Sequence, residues 1–190
     1  MDAFDVISYT LNGLWLFLPA MLPNSAAVVF GGGTKMDFGR SWRGRRIFGD
    51  GKSWRGFFGG ALSGMALGLI LVGISALFGS EDCWGYSGWP RCLGILAALS
   101  FGAVLGDLCG AFVKRRLGLE RGAKAPALDQ YDFVIGALCA TALFFPDWVY
   151  GTYMEGWHIV ALISLLAAVF AIHRGVNVIG YRIGLKKEPW

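Results

Sequence analysis

Long apolar stretches alternate with polar ones along the chain, and five of them reach the roughly 17–25 residues at which a helix spans a bilayer. They predict helices over about 6–22, 57–79, 92–113, 131–152 and 156–173. The longest polar stretches, about 24–56 and 114–130, separate the first helix from the second and the third from the fourth. This pattern predicts an all-α integral membrane protein with five transmembrane helices, folded as a single domain over residues 1–190.

Two local patterns modify the first two helices. Pro19 and Pro23 each remove a helical hydrogen bond, so we expect them to bend or break the first helix near its end. Asn24 is a favoured N-cap residue and is expected to begin a short, half-embedded segment. In the second helix, Gly60 and Gly64 form a GxxxG pair, which lets a neighbouring helix pack closely.

Composition and charge add an orientation. With 55% hydrophobic residues and a mean hydropathy of +0.54, the chain is too apolar for a soluble domain of its length. Sixteen of the 17 Lys and Arg residues fall in the two long loops and the C-terminal tail, and only Arg91 lies on the opposite side. Positively charged loops stay in the cytoplasm, so we expect the N-terminus outside and the C-terminus inside. This topology accounts for the net charge of +4, and we expect no nucleic-acid partner.

The four cysteines indicate no metal site. Cys83 and Cys92 bracket a short loop on the predicted outer side, where a disulfide is permitted. The sequence leaves open whether that disulfide forms. Cys109 and Cys139 lie within apolar stretches and are expected to act as small hydrophobic residues.

The first long loop combines glycine with positive charge. Residues 24–60 hold seven Lys and Arg side chains, and their many glycines let the backbone approach a ligand closely. This combination is typical of phosphate-binding sites. A flexible loop that obeys the positive-inside rule has the same composition, so both interpretations stay open for this stretch alone.

Three acidic residues are candidates for chemistry. Asp107 lies in an apolar run seven residues before Lys114, which places it roughly 10 Å into the membrane and on nearly the same helix face. A carboxylate at that depth needs a partner, a metal or water, and an ion pair within the bundle is the simpler alternative. Asp129 and Asp132 share one side of the fourth helix's first turn. They could serve as ordinary helix-dipole partners or as magnesium ligands beside a phosphate.

Two separated segments resemble the integral-membrane CTP transferases, the group that includes phosphatidate cytidylyltransferase. Residues 52–60, Lys-Ser-Trp-Arg-Gly-Phe-Phe-Gly-Gly, are similar to the group's Lys-Thr-Trp-Glu-Gly-x-x-Gly-Gly element, and residues 24–32 resemble the stretch that precedes it. The spacing from Gly-Asp107-Leu to Lys114-Arg115 is that of the group's second signature. Residues 129–132, Asp-Gln-Tyr-Asp, stand where that signature ends in Asp-Arg-x-Asp.

Further motifs resemble one branch, the archaeal CDP-archaeol synthases. They are Phe-Gly-Gly-Gly at 30–33, Met-Asp-x-Gly at 36–39 and Arg-Arg-Ile-x-Gly-Asp-Gly-Lys at 45–52. Arg55 replaces the bacterial glutamate, and five spans are few for a bacterial enzyme. Arg43 departs from the family by standing where an acidic residue is expected, and Ser53 stands where threonine is expected.

The resemblance implies that an isoprenoid ether-lipid phosphate, di-O-geranylgeranylglycerol phosphate, attacks the α-phosphate of CTP. The products are CDP-archaeol and pyrophosphate, and one or two Mg²⁺ ions assist. The implied catalytic residues are Asp107, Asp129, Asp132 and Lys114, and the three aspartates are also the implied metal ligands. The implied nucleotide-binding residues are Asn24, Gly31, Gly32, Gly33, Lys35, Asp37, Asp50, Lys52, Arg55 and Arg115.

These residues place a polar active-site cavity between the two cytoplasmic loops of a multi-pass cell-membrane protein, with CTP, the lipid phosphate and membrane lipids as partners. A homodimer is left open. The alternatives are a CDP-diacylglycerol synthase acting on another lipid phosphate and, in a different class, a small anion transporter with Asp107 and Lys114 along its path. The Asp-Gly-x-x-Ala-Arg opening of the CDP-alcohol phosphotransferases is absent from the sequence.

Overall fold

The computed structural model describes residues 2–80, 82–119 and 125–182. The chain is mostly helical, as predicted, and its elements in chain order are α1 (Ala3–Val29), β1 (Ser41–Trp42), β2 (Arg45–Arg46), α2 (Trp54–Leu77), α3 (Arg91–Arg116), α4 (Pro126–Phe144), α5 (Pro146–Tyr153), the 3-10 turn Gly156–His158 and α6 (Ile159–Arg182). The antiparallel hairpin β1–β2, which pairs Ser41 with Arg46, was not predicted.

Three of these helices, α1, α2 and α3, are long and apolar enough to cross a membrane, and α5 with 156–172 forms a fourth candidate span bent by 82°. The predicted continuous helix over 131–152 is wrong. Phe145 leaves the helical region at φ −136° and ψ 59°, and a new helix begins at Pro146. Proline has no N–H to continue a helical ladder and disfavours the helical conformation of the residue before it. Five spans therefore remain a prediction.

Helix α1 continues through both of its prolines to Val29, so the predicted helix end near residue 22 is wrong and Asn24 lies inside a helix. Because Pro23 has no N–H, the carbonyl of Pro19 loses its helical donor. Ser100 Oγ of α3 donates to that carbonyl at 3.3 Å. Serine from a neighbouring helix is one of the groups that restore such freed carbonyls in membranes.

Glycines of α2 pack against the same part of α1, which agrees with the predicted GxxxG pair. A Cβ atom at Gly60 would lie 2.5 Å from the carbonyl oxygen of Pro23 and 3.0 Å from Ala27 Cβ. At Gly64 it would lie 2.7 Å from Pro23 Cγ. Both positions therefore have room for glycine only, and the close approach fixes the end of α1 beside the start of α2.

Helices α3 and α4 pack closely, with glycines on both sides at positions that leave no space for a larger side chain. A Cβ atom at Gly102 would lie 2.7 Å from Ala140 Cβ, and one at Gly110 would lie 2.9 Å from both Cβ and Cγ of Asp132. Gly136 of α4 fits against the backbone of α3 around Gly106. This interface holds Asp132 directly against the helix that carries Asp107.

The contacts divide the chain into two compact units, Met1–Trp15 with Gly151–Trp190, and Leu16–Tyr150. In the first unit, Tyr153 donates its hydroxyl to the Gly13 carbonyl at 2.9 Å. The second unit contains every residue of the candidate active site described below. In it, Cys83 and Cys92 are both buried and have free thiols in this structure.

Candidate active site

A cavity of about 380 Å³ lies where the end of α1, the start of α2, the middle of α3 and the loop over residues 30–53 meet. This volume falls within the roughly 300–1,000 Å³ of small-molecule sites. The lining residues are Asn24, Ala27, Val28, Gly31, Gly32, Met36, Asp50, Gly51, Lys52, Ser53, Gly56, Phe57, Val104, Asp107 and Leu108. Both polar and apolar side chains therefore surround the space.

Backbone hydrogen bonds join the two ends of the 30–53 loop beside this cavity. Met36 N donates to Lys52 O at 3.0 Å, and Trp54 N donates to Thr34 O at 3.1 Å. Ser53 is the N-cap of α2, and its hydroxyl accepts a hydrogen bond from Gly56 N at 3.1 Å. Such a cap satisfies a helix-terminal N–H that has no helical partner. The start of α2 is thereby fixed, and Lys52 is held at the cavity wall.

Lys52 forms an ion pair with Asp107 at the cavity wall. Their side chains are 26% and 25% exposed, so neither charge is fully hydrated. The pair links the loop to the middle of α3, and it is the compensation that a carboxylate in an apolar helix requires. The spacing in the sequence had suggested Lys114 as the basic residue beside Asp107, but the ion-pair partner is Lys52.

Lys114 instead pairs with Asp129, at 2.5 Å from Nζ to Oδ1. Asp129 also accepts a hydrogen bond from Ala125 N at 3.2 Å, beside the first turn of α4. This contact fits the interpretation of Asp129 as a helix-dipole partner. The pair ties the last turn of α3 to the first turn of α4.

Asp132 is the most enclosed of the three predicted acids. It is 7% exposed, lies against Gly110 and accepts a hydrogen bond from Phe133 N at 2.7 Å. The charges of Asp107, Lys114 and Lys52 act on it electrostatically. Among the described residues, no Lys, Arg or His nitrogen lies within 4.0 Å of its carboxylate. A buried carboxylate beside another acid and without a close cation is suited to a hard metal ion.

No group of three acidic, His or Cys side chains is close enough to hold a metal ion in the part of the chain that the structure describes. Asp107 and Asp129 are each engaged by a lysine. Oxygen donors of this kind nevertheless match the preference of magnesium, which uses one or two protein carboxylates together with substrate phosphates. The predicted metal site of Asp107, Asp129 and Asp132 stays a prediction.

Asp37 organises the 30–53 loop from behind the cavity. It is 4% exposed and accepts hydrogen bonds from the backbone N–H groups of Gly39, Phe48 and Gly49 at 3.1–3.2 Å. Arg46 binds both of its oxygens, at 2.5 and 3.2 Å. Burial alone would raise the pKa of Asp37, but Arg46 and the three N–H groups outweigh it and lower the pKa to about 2.

Asp50 connects this network to the cavity wall. Lys35 and Arg46 both bind its Oδ1 atom, and together they lower the pKa of Asp50. Asp37, Arg46, Asp50 and Lys35 therefore form a continuous chain of alternating charges. Asp50 lines the cavity, whereas Asp37 does not line it and is linked to Asp50 through Arg46.

The structure brings six of the predicted site residues to the cavity wall: Asn24, Gly31, Gly32, Asp50, Lys52 and Asp107. The amide oxygen of Asn24 is buried there and has no hydrogen-bond partner among the described residues. Arg55 is exposed, and its side chain lies near Gly33, where an added Cβ would be 3.1 Å from Arg55 Cδ. Arg115 donates to Leu119 O at 2.6 Å.

Three residues that help to position the candidate site were not among the predicted site residues. Ser53 carries the signal of a helix N-cap, a serine directly before an apolar run. Arg46 has no such local signal, because its partner Asp37 lies nine residues away in an irregular loop. Gly110 is identified only by the side chain that packs on it from α4.

The comparison with known families decides among the alternatives. A family model described as CarS-like, CDP-archaeol synthase, matches residues 4–190. The chain belongs to this family. The resemblance drawn from the two sequence segments is therefore confirmed.

Relatives of this chain include several archaeal proteins that carry the name CDP-archaeol synthase. The chain is 45% identical to that of Methanoculleus marisnigri, over 91% of this chain and 99% of the relative. It is 41% identical to that of Halobacterium salinarum, with coverage of 98% and 99%. It is 43% identical to that of Pyrococcus horikoshii, with coverage of 95% and 96%.

A solved structure has a similar fold. It is described as an intramembrane enzyme for archaeal membrane lipids biosynthesis, and it superposes with a TM-score of 0.64 at 33% identity. The match covers 89% of this chain and 94% of the other. The predicted membrane character of the chain agrees with this likeness.

Proposed function

We propose that this chain is a cytidylyltransferase that joins CTP to an archaeal ether-lipid phosphate, di-O-geranylgeranylglycerol phosphate, and forms CDP-archaeol and pyrophosphate. The observation that carries the proposal is the Lys52–Asp107 pair. It puts a basic residue of the first family signature against the acid of the second, at the wall of a single cavity.

In the reaction, an oxygen of the lipid phosphate attacks the α-phosphorus of CTP. A new P–O bond forms, the bond between the α- and β-phosphates breaks, and pyrophosphate leaves with the bonding electrons. The lipid phosphate is already ionised at neutral pH, so no strong general base is required. Transfers of this class depend mainly on positioning and on the neutralisation of phosphate charge.

The basic residues of the site suit that task. We assign Lys52, Arg55, Lys114 and Arg115 to the triphosphate or the lipid phosphate. In the structure Lys52 and Lys114 are engaged by Asp107 and Asp129. A triphosphate would compete with these carboxylates for both lysines, so that binding exchanges one anion for another and creates no unpaired cation.

The nucleotide would occupy the cavity between α1 and the 30–53 loop. We assign Asn24, Gly31, Gly32 and Asp50 to its wall, and Gly33, Lys35 and Asp37 to the support of that wall. The buried, unpartnered Asn24 oxygen supports this assignment, because a buried acceptor without a donor is costly unless a ligand supplies one.

We propose that Asp107, Asp129 and Asp132 hold one or two magnesium ions when CTP is bound. The ion would neutralise charge on the phosphates and on the departing pyrophosphate. The buried Asp132, which has no cationic partner within 4.0 Å among the described residues, supports this assignment. In this role Asp132 and Asp107 would provide oxygen ligands, and the ion would offset the mutual repulsion of their two negative charges.

We further propose that residues 1–190 form one membrane domain with five crossings, namely α1, α2, α3, α4 and the bent segment 146–172. The 16 to 1 distribution of Lys and Arg then places the N-terminus outside and the active site in the cytoplasm. Arg121, Lys124, Lys186 and Lys187, which contribute to that distribution, lie outside the described residues.

The decisive experiment incubates purified protein in detergent with labelled CTP, magnesium and the ether-lipid phosphate. We expect a labelled CDP-lipid and pyrophosphate in equal amounts. Diacylglycerol phosphate in a parallel reaction tests the substrate class, and omission of magnesium tests the metal. Folded, monodisperse protein that forms no labelled lipid with either acceptor would refute the proposal.

A further inference from the structure

Arg116, the last residue of α3, binds the backbone of the β-hairpin in the 30–53 loop. Its guanidinium donates to Trp42 O at 2.6 Å, Arg46 O at 2.7 Å and Arg45 O at 3.2 Å. Arg45 returns a weaker hydrogen bond, from Nη1 to Arg116 O at 3.4 Å. Three carbonyls from both strands thus converge on one side chain, which is possible because a guanidinium presents several donors in one plane.

Two aromatic rings hold the same guanidinium. It lies 5.2 Å from the centre of the Trp42 ring and 5.3 Å from that of Phe112, and the two rings are stacked at 5.9 Å. Phe112 is four residues before Arg116 and therefore on the same face of α3. Cation–π contacts of this kind add to the hydrogen bonds. The hairpin is consequently bound by α3 through both its backbone and its exposed tryptophan.

The contacts continue from the hairpin to the cavity. The carbonyl of Arg46 is held by Arg116, while the side chain of Arg46 binds Asp37 and Asp50. Asp50 is followed directly by Gly51 and Lys52 at the cavity wall. The same helix α3 carries Asp107, which pairs with Lys52. Arg116 therefore sets the distance between the loop and the acid that faces it.

We infer that Arg116 is a positioning residue for nucleotide binding. It does not line the cavity, and it holds the 41–52 segment in a fixed position against α3. This inference deepens the proposed function and rests on it for the identity of the nucleotide. It predicts that loss of the guanidinium weakens CTP binding while the chemical step at saturating CTP is largely retained.

The test compares Arg116→Lys with Arg43→Lys. Arg43 is the matched control, because its guanidinium also lies over the Trp42 ring, at 5.4 Å, and donates no hydrogen bond to any of the described residues. Lysine keeps the charge at both positions but cannot bind three carbonyls. For Arg116→Lys we expect KM for CTP to rise about tenfold or more, with kcat within about threefold of wild type. For Arg43→Lys we expect both constants within about twofold of wild type.

Hydrogen exchange without substrate provides a readout that does not depend on activity. In Arg116→Lys, amides of residues 41–52 should exchange at least about tenfold faster, while those of 94–111 in α3 keep their wild-type rates. Unchanged exchange at 41–52, or a fall in kcat at constant KM, would overturn the inference. Faster exchange in a protein whose wild type makes no CDP-lipid would refute the proposed function and leave the positioning role intact.

If Arg116→Lys also loosens α3, Phe112→Leu replaces it, because this change removes one ring and keeps all three hydrogen bonds. We then expect a rise in KM of about threefold and faster exchange confined to 41–52. Wild-type values for both quantities would overturn the inference.

Discussion

The α3–α4 interface and the 30–53 loop both hold acids of the candidate active site, the first by backbone packing and the second by hydrogen bonds. At the interface, the side chain of Asp132 packs directly against Gly110, so the two helix backbones fix the position of this carboxylate. In the loop, Asp37 is held by Arg46 and three backbone N–H groups. Rigid packing suits a group that must not move, and exchangeable polar contacts suit a segment that admits a ligand.

The largest expected effect follows from removing the charge of the packed acid. Asp132→Asn should lower kcat/KM by roughly 10²–10³-fold, because Asp132 is proposed to hold the ion that neutralises phosphate charge, and a neutral amide holds a hard cation less strongly than a carboxylate. Asp147→Asn is the control, since its side chain is 68% exposed and pairs with Arg91 away from the cavity. Steady-state kinetics on both variants measure the difference. Retained activity in Asp132→Asn would remove this residue from the site.

A second change tests the packing itself. Gly110→Ala should cost about 10²-fold in kcat, since the added Cβ would meet Asp132 and displace it by a fraction of an ångström or more. Gly73→Ala is the control, because among the described residues no atom outside its own helix turn lies within 4 Å of a Cβ at that position. Turnover together with thermal unfolding in detergent separates displacement from loss of stability. Equal kinetics in the two variants would contradict the packing argument.

The corresponding change in the loop should be milder. Asp37→Asn keeps the shape of the side chain but leaves Arg46 without its buried anionic partner. KM for CTP should rise about tenfold, with kcat changed much less, because the charge-assisted hydrogen bonds hold only the nucleotide wall. Asp82→Asn is a matched substitution in another turn, where Asp82 accepts from Trp84 N at 3.1 Å. An equal loss of kcat in Asp37→Asn would make the loop as critical to chemistry as the interface.

The smallest effect concerns pH. The pKa of Asp37 is lowered from 3.8 to about 2, so its contribution to loop stability is complete above about pH 4 and is lost as the pH falls towards 2. Pepsin cleavage between residues 37 and 50 should therefore be slow at pH 4 and faster near pH 2. The Asp37→Asn variant should show no such added acid dependence. Identical pH profiles for both proteins would exclude Asp37 as the titrating group.

The sequence predicted those helices whose ends are marked by charge or by a cap. The predictions 57–79 and 92–113 lie within three residues of α2 (Trp54–Leu77) and α3 (Arg91–Arg116). Helix α1 was misjudged because the carbonyl freed by Pro23 is satisfied by Ser100, a contact 81 residues distant in the chain. A proline rule applied locally does not include such a donor.

The site shows the same division. The sequence named both Lys52 and Asp107, because each lies in a recognisable motif, but helical spacing favoured Lys114 as the basic residue beside Asp107. The ion-pair partner is Lys52, which requires the 30–53 loop to turn back on α3. Arg116 was not named, because its role depends on backbone carbonyls about 70 residues away. Motifs identify chemical groups, whereas tertiary contacts determine which groups meet.

The lysine–aspartate pairs also have an electrical consequence for a protein that resides in a membrane. Lys52 with Asp107, Lys114 with Asp129, and Lys35 with Asp50 each cancel to zero net charge within a single contact. The field of such a pair decays faster with distance than the field of an isolated charge, so each pair can lie beside apolar helices at a lower electrostatic cost than a lone charge.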